Sequence, residues 1–128
     1  MHTIVCDGGT GPGNGTARAE CYGSYTIDGG EQQWCKFPMD TTNNQAEYDT
    51  LLAALDKVVE IEDPAPVGKV LALTDSKLVV KQVKGDWAAQ DLLLRRRRNA
   101  VRKLCEARGI ELKMKWVPRE FIVARLGH

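Results

Sequence analysis

No apolar run in the chain approaches the roughly 18–20 residues that a membrane-spanning helix needs. The opening Met1-His2-Thr3-Ile4-Val5 lacks the basic-then-apolar layout of a secretory signal. Cytoplasmic residence, with no membrane partner, is therefore the default expectation. Histidine is scarce, with His2 and His128 the only two. The cysteines, Cys6, Cys21, Cys35 and Cys105, include no CxxC pair. Zinc spacing is absent, and reduced, partly buried thiols are the reading that remains. There is no internal repeat and no low-complexity linker. The glycine-rich residues 8–15 carry no P-loop lysine and no helix signal after them, which argues against an anion-binding enzyme built on that loop.

What is present is ordinary in amount and uneven in arrangement. The 128 residues, 43% hydrophobic and 27% charged, fit one domain spanning residues 1–128 with one core. The formal net charge is only +1. Residues 95–119 are nevertheless strongly basic, opposed there only by Glu106 and Glu111. A basic third on a neutral chain suits a polyanionic partner. Arg95 to Arg98 turn about 100° per residue on a helix, so they cannot all face one phosphate backbone. Arg97 falls nearest the apolar stripe of Ala89, Leu93, Ala100 and Leu104, so its stem is expected to be partly buried. For the others, a solvated face and a nucleic-acid contact both stay open.

Patterning gives the order β-β-β-α-β-α-α-β and a short tail. Thr3-Ile4-Val5-Cys6 reads as a strand ending at Asp7, with residues 8–15 as a turn. Residues 17–28 and 31–37 read as a hairpin about Asp28-Gly29-Gly30. Thr42 and Gln45 form a capping box for a helix over 43–62, stopped by Pro64 and Pro66. Residues 69–74 read as a strand buried on both faces. Helices follow over about 76–84 and 88–108, then a strand over 110–117. The tail from 119 to 128 holds at most about two helical turns. Helical crossovers favour parallel pairing of the later strands. The expected fold is α/β: a five-stranded mixed sheet, three antiparallel strands and then parallel ones, flanked by helices.

In open α/β sheets, ligands bind beyond the carboxyl ends of strands. Asp7 and Asp75 both sit at such ends, and Glu47 shares the inward stripe of its helix with Leu51 and Ala54. Each has an ordinary alternative: Asp7 as a turn former, Asp75-Ser76 as a helix cap, Glu47 as a first-turn acid. Only convergence explains all three positions together. Meeting carboxylates repel unless a cation joins them, and all-oxygen ligands select Mg²⁺ or Mn²⁺. Two such ions would align an in-line displacement at phosphorus.

Four blocks then carry a family resemblance: Ile4-Val5-Cys6-Asp7-Gly8-Gly9, Thr41-Thr42-Asn43-Asn44-Gln45-Ala46-Glu47-Tyr48, Leu73-Thr74-Asp75-Ser76-Lys77-Leu78-Val79-Val80 and Trp116-Val117-Pro118-Arg119-Glu120. In this order and spacing they resemble ribonuclease HI over nearly the whole chain. The resemblance implies a ribonuclease H-like fold and metal-dependent cleavage of the RNA strand of RNA–DNA hybrids, leaving 5′-phosphate and 3′-hydroxyl ends, by a monomer. It implies metal binding by Asp7, Glu47 and Asp75, with the Gly8 backbone carbonyl facing a metal. It implies hybrid contacts by Asn14, Asn43, Asn44 and Gln45, whose amides suit 2′-hydroxyls. It implies a phosphate contact by Thr41 and a channel-lining role for Trp87, a residue that could equally be a core tryptophan.

The chain departs from the family at its end. The family's fourth carboxylate, an Asp in the last helix, is missing; Arg125 or Leu126 stands there, and the mobile catalytic histidine loop is absent. Three accounts remain open: three carboxylates suffice, His128 reaches the site through its imidazole or α-carboxylate, or Glu120 swings in. The departure also leaves room for a hybrid-binding module without catalysis. A transposase- or resolvase-like nuclease is a further alternative, against which the Asn43-Asn44 pair argues.

Overall fold

The computed structural model describes residues 1–11 and 20–128. Its elements are β1 (His2–Gly11), β2 (Glu20–Ile27), β3 (Gln33–Phe37), α1 (Asn43–Glu62), β4 (Gly68–Thr74), α2 (Lys77–Lys84), α3 (Leu92–Arg108), β5 (Ile110–Trp116) and α4 (Arg119–Leu126). The sheet order is β3-β2-β1-β4-β5. β1–β2 and β2–β3 pair antiparallel, β1–β4 and β4–β5 parallel. This is the mixed five-stranded sheet that the patterning predicts. No helix among the described residues is long and apolar enough to cross a membrane.

Two apolar clusters hold the sheet. The larger joins Ile4 and Cys6 of β1 and Val70 and Ala72 of β4 to Tyr48, Leu51, Leu55 and Val58 of α1 and Val101 of α3. Val5, Leu73 and Val117 meet Ile122 and Leu126 of α4 in the smaller. Alternation along β1 thus sends even-numbered residues toward α1 and odd-numbered ones toward α4. Among the described residues, no helix packs on the β2–β3 end of the α4 side.

The first strand does not stop at Asp7. It continues through Gly11, with Gly8 opposite Gly23, Gly9 opposite Tyr22 and Thr10 opposite Cys21. Ladder pairing overrides the turn preference of the glycines. Gly8 and Gly23 also let α1 lie close to the sheet. A Cβ on Gly8 would stand 2.5 Å from the Ala46 carbonyl oxygen, and one on Gly23 would collide with the buried Thr50 side chain. In the hairpin, β3 starts at Gln33 rather than residue 31, after a turn in which Asp28 and Gly29 take φ of 54° and 69°.

The capping box of α1 forms as predicted. Thr42 Oγ1 accepts from Gln45 N, and Gln45 Oε1 accepts from Thr42 N, each at 3.2 Å. α3 begins at Leu92, later than residue 88, because the Asp91 carboxylate accepts from Leu93 N and Leu94 N and fixes the N-terminus there. Its buried stripe is Leu94 and Val101, one position from the predicted Leu93 and Ala100; Leu93 is exposed. Arg97 keeps its half-buried place, with Nε 2.8 Å from Asp49 Oδ1. All four cysteines are free thiols, Cys6 and Cys21 buried and the other two partly so.

His2 ties three elements together. Its Nδ1 lies 2.6 Å from Asp28 Oδ2 and its Nε2 2.7 Å from Glu62 Oε1. Only the doubly protonated ring donates to both. The Glu62 bond, then the Asp28 bond, raise the His2 pKa. This contribution to stability is fully present below the unfolded histidine pKa of about 6.5 and is lost as pH rises through the higher folded value. The melting temperature is expected to fall between about pH 6 and pH 8, and His2→Ala to flatten that slope. Equal slopes in thermal unfolding of both proteins would reject the assignment.

Candidate active site

The parallel register of β1 and β4 sets Val5 beside Leu73. Two residues on, Asp7 and Asp75 stand together just past the end of that parallel pairing, Asp7 within β1 and Asp75 after β4. Glu47, one turn into α1, comes in from the helix that the glycine pair brings close. Thr74 Oγ1 is 3.4 Å from Glu47 Oε2 and accepts from Ser76 N at 3.1 Å. One carboxylate oxygen from each of Asp7, Glu47 and Asp75 lies within 4.8 Å of the others. They open into a cleft also lined by Gly9, Thr10, Asn43, Asn44, Ser76 and Arg119.

Burial, the negative charge of Asp7 and a hydrogen bond with Asp7 push the Glu47 carboxyl up to about 9. Burial and then Asp7 raise Asp75. Three acids so placed cannot all ionise together without a cation. Oxygen donors alone, closely spaced and charge-frustrated, fit a hard divalent ion. Its binding near neutral pH is expected to expel about one proton, chiefly from Glu47. Titration calorimetry with Mg²⁺ in buffers of different ionisation enthalpy reads this directly. A heat independent of buffer would mean that Glu47 is already ionised.

Two further groups complete the arrangement. Arg119, the first residue of α4, places Nη1 3.1 Å from both Asp7 Oδ2 and Asp75 Oδ2. His128 sets Nδ1 2.9 Å from Asp7 Oδ2, near enough for an ion pair but not aligned as a hydrogen bond. Its Nε2 meets Ser24 Oγ. Gln32 Nε2 donates to Ser24 Oγ and to the Leu126 carbonyl, each at 2.9 Å. The ring packs against Tyr22 and Trp34, both 5.1 Å between centroids. Arg125 instead lies over the Phe121 ring at 3.4 Å, Leu126 is buried in the smaller core cluster, and Glu120 is exposed and stands outside the carboxylate group.

A family described as reverse transcriptase-like matches residues 28–124. The chain belongs to this family. It is 43% identical over 63 residues to a ribonuclease HI of Halobacterium salinarum (strain ATCC 700922 / JCM 11081 / NRC-1). That match covers 49% of this chain and 30% of the relative. The crystal structure of RNase H1 from Halobacterium salinarum NRC-1 superposes with a TM-score of 0.77 at 29% identity, over 97% of this chain and 89% of that one. LC11-RNase H1, isolated from compost and solved with an RNA/DNA hybrid, gives 0.79 at 24% identity over 98% and 91%, a likeness of fold.

The other residues that the ribonuclease HI resemblance names are distributed unevenly. Asn43 and Asn44 line the cleft, and Asn43 Oδ1 accepts from Thr10 N at 2.7 Å and Thr10 Oγ1 at 2.8 Å. Gly8 lines it too, and its backbone N–H opposes the rise of the Glu47 pKa. Gln45 is buried with its carbonyl oxygen in the helix cap, and Thr41 is buried with its carbonyl accepting from Cys21 Sγ at 3.1 Å; neither lines the cleft. Trp87 is exposed in the link between α2 and α3, which removes the core-tryptophan reading. Asn14 lies outside the described residues. Sequence reasoning missed Arg119 as a site residue. The available signal was a basic residue just past the carboxyl end of β5, the strand that runs beside β4.

Proposed function

We infer that the protein is a ribonuclease H that hydrolyses the RNA strand of RNA–DNA hybrids, leaving 5′-phosphate and 3′-hydroxyl ends. The observation that carries this reading is the convergence of Asp7, Glu47 and Asp75 beside an exposed Asn43-Asn44 pair. The carboxylates hold divalent metal, two Mg²⁺ or Mn²⁺ ions with substrate bound, and the amides address 2′-hydroxyls in the minor groove. Action as a monomer is part of this reading.

Bound ions would supply the Lewis-acid charge that makes water nucleophilic near neutral pH and balances charge on the leaving 3′ oxygen. The chain's own residues do the rest. Asn43 is braced by Thr10, so its amide group is held at the rim instead of searching rotamers. Arg119 carries positive charge at the mouth of the cleft, where a phosphate would enter. His128 presents an imidazole beside Asp7, able to take or give a proton at Nδ1. This is the part that the family's fourth carboxylate leaves open.

The testing experiment is cleavage of a labelled RNA–DNA hybrid with Mg²⁺, with Mn²⁺ and with EDTA, beside single-stranded and duplex controls. Metal-dependent cutting confined to the RNA of the hybrid is the expected result. Folded protein that binds hybrid but cuts it under neither metal would leave a binding module, and cutting of duplex DNA would turn the reading toward transposase-like chemistry.

A further inference from the structure

On the α4 side of the sheet, Asp7 pairs with Ser24 and Ser24 with Trp34, a row running from the carboxylates to the β3 edge. The next row is Gly9, Tyr22 and Lys36. Among the described residues, α4 covers β1 and β4 here, and no helix covers β2 and β3. Trp34 is 62% exposed, although His128 and Tyr22 pack at its inner side. Tyr22, Trp34, Cys35, Lys36 and His128 line a groove of about 580 Å³, and Tyr22 is also a wall of the carboxylate cleft.

We propose that this groove is a stacking subsite for an unpaired nucleotide of the RNA strand, beyond the paired region held at the carboxylates. The inference rests on the hybrid reading above and adds a second element to it. A tryptophan with a free face, a neighbouring tyrosine and a lysine on one sheet surface are what an unpaired base and its phosphate require. Bases inside a duplex already stack on each other and offer no free face, so the occupant is single-stranded. Two strand spacings, about 10 Å, separate the row's ends. At a stacked rise of about 3.4 Å, a strand leaving the cleft covers that distance in about three nucleotides. Lys36 supplies the charge for its backbone. Because β2 and β3 lie on one side of the carboxylates only, a single strand polarity reaches the groove.

The test compares the affinity of short hybrids, with metal chelated so that nothing is cut: blunt, or with single-stranded RNA extending from the 5′ or the 3′ end. One polarity is expected to bind about tenfold more tightly than the blunt hybrid, the scale of one stacked base. Trp34→Ala should erase that gain and Trp34→Phe keep most of it. Lys36→Ala, which removes neither the Ser24 bond nor the ring contacts of His128, should lower the salt slope for the extended hybrid by about 0.7. No gain with either extension, or a gain that survives Trp34→Ala, overturns the subsite while blunt binding leaves the hybrid reading in place. Failure to bind blunt hybrid, with single-stranded RNA still bound through Trp34, overturns the hybrid reading and supports the subsite. Trp34-dependent self-association in sedimentation, without any gain from an extension, assigns the face to a second copy and overturns the proposal.

Discussion

Asp7→Asn is expected to lower RNA-strand cleavage by about 10³-fold or more, the scale of losing a preorganised charged group at a reacting phosphate. Asp7 is 4% exposed, lies in mid-strand and touches Arg119 and His128 as well as the other carboxylates. The amide has nearly the same shape, so β1 should keep its pairing. It lacks the negative charge, so metal affinity should fall with activity, and the frustration that raises Glu47 should ease. Hybrid binding should persist, since Asn43 and Asn44 stand on α1 and are untouched. Kinetics paired with a binding isotherm decide the matter. Loss of both would mean that Asp7 shapes the whole cleft, and retention of cleavage would remove it from the metal set.

His128→Ala is expected to reduce turnover by about 10²-fold, the lower range for loss of a positioned proton-transfer group. The structure gives this residue more than proximity. Ser24, itself held by Gln32, and the Tyr22 and Trp34 rings hold the imidazole while Nδ1 faces Asp7. The same variant should leave the melting temperature gain from Mg²⁺ largely intact, because Glu47 and Asp75 do not touch the ring. A fall in turnover with that gain preserved points to proton handling. A fall in both points to metal retention. Unchanged turnover removes His128 from the chemistry, and three carboxylates with Arg119 would then carry it.

Much of this site could be read from local signals. The capping box places the first turn of α1, and the apolar runs before Asp7 and Asp75 mark two neighbouring parallel strands, although only the second ends at its aspartate. What stayed illegible was tertiary. The glycines of β1 look like a turn until β2 is paired with them and α1 is laid on Gly8 and Gly23. The stripe of α3 differs by one residue because Asp91, a cap with no distinctive spacing around it, sets the phase. Gln45 carried two expectations, a helix cap and a substrate contact, and its carbonyl oxygen serves the cap. Arg119 sits in a motif whose other residues drew attention, and its role depends on α4 turning back across β1. His128 could be suspected of reaching the site, but the cage that orients it is assembled from β2 and the hairpin beyond it.

The contact from Arg119 to Asp7 joins residues 112 apart in sequence, and this has a consequence for the order in which the protein matures. Local pieces such as α1 can form early, but closing so long a loop is deferred until both ends are available and their entropy cost is met by packing. The carboxylate cluster therefore exists before its cations of protein origin do. During synthesis, a chain that has produced β1, α1 and β4 would carry three acids with neither Arg119 nor His128 yet made. The complete site would come into being as one of the last acts of folding, when α4 docks.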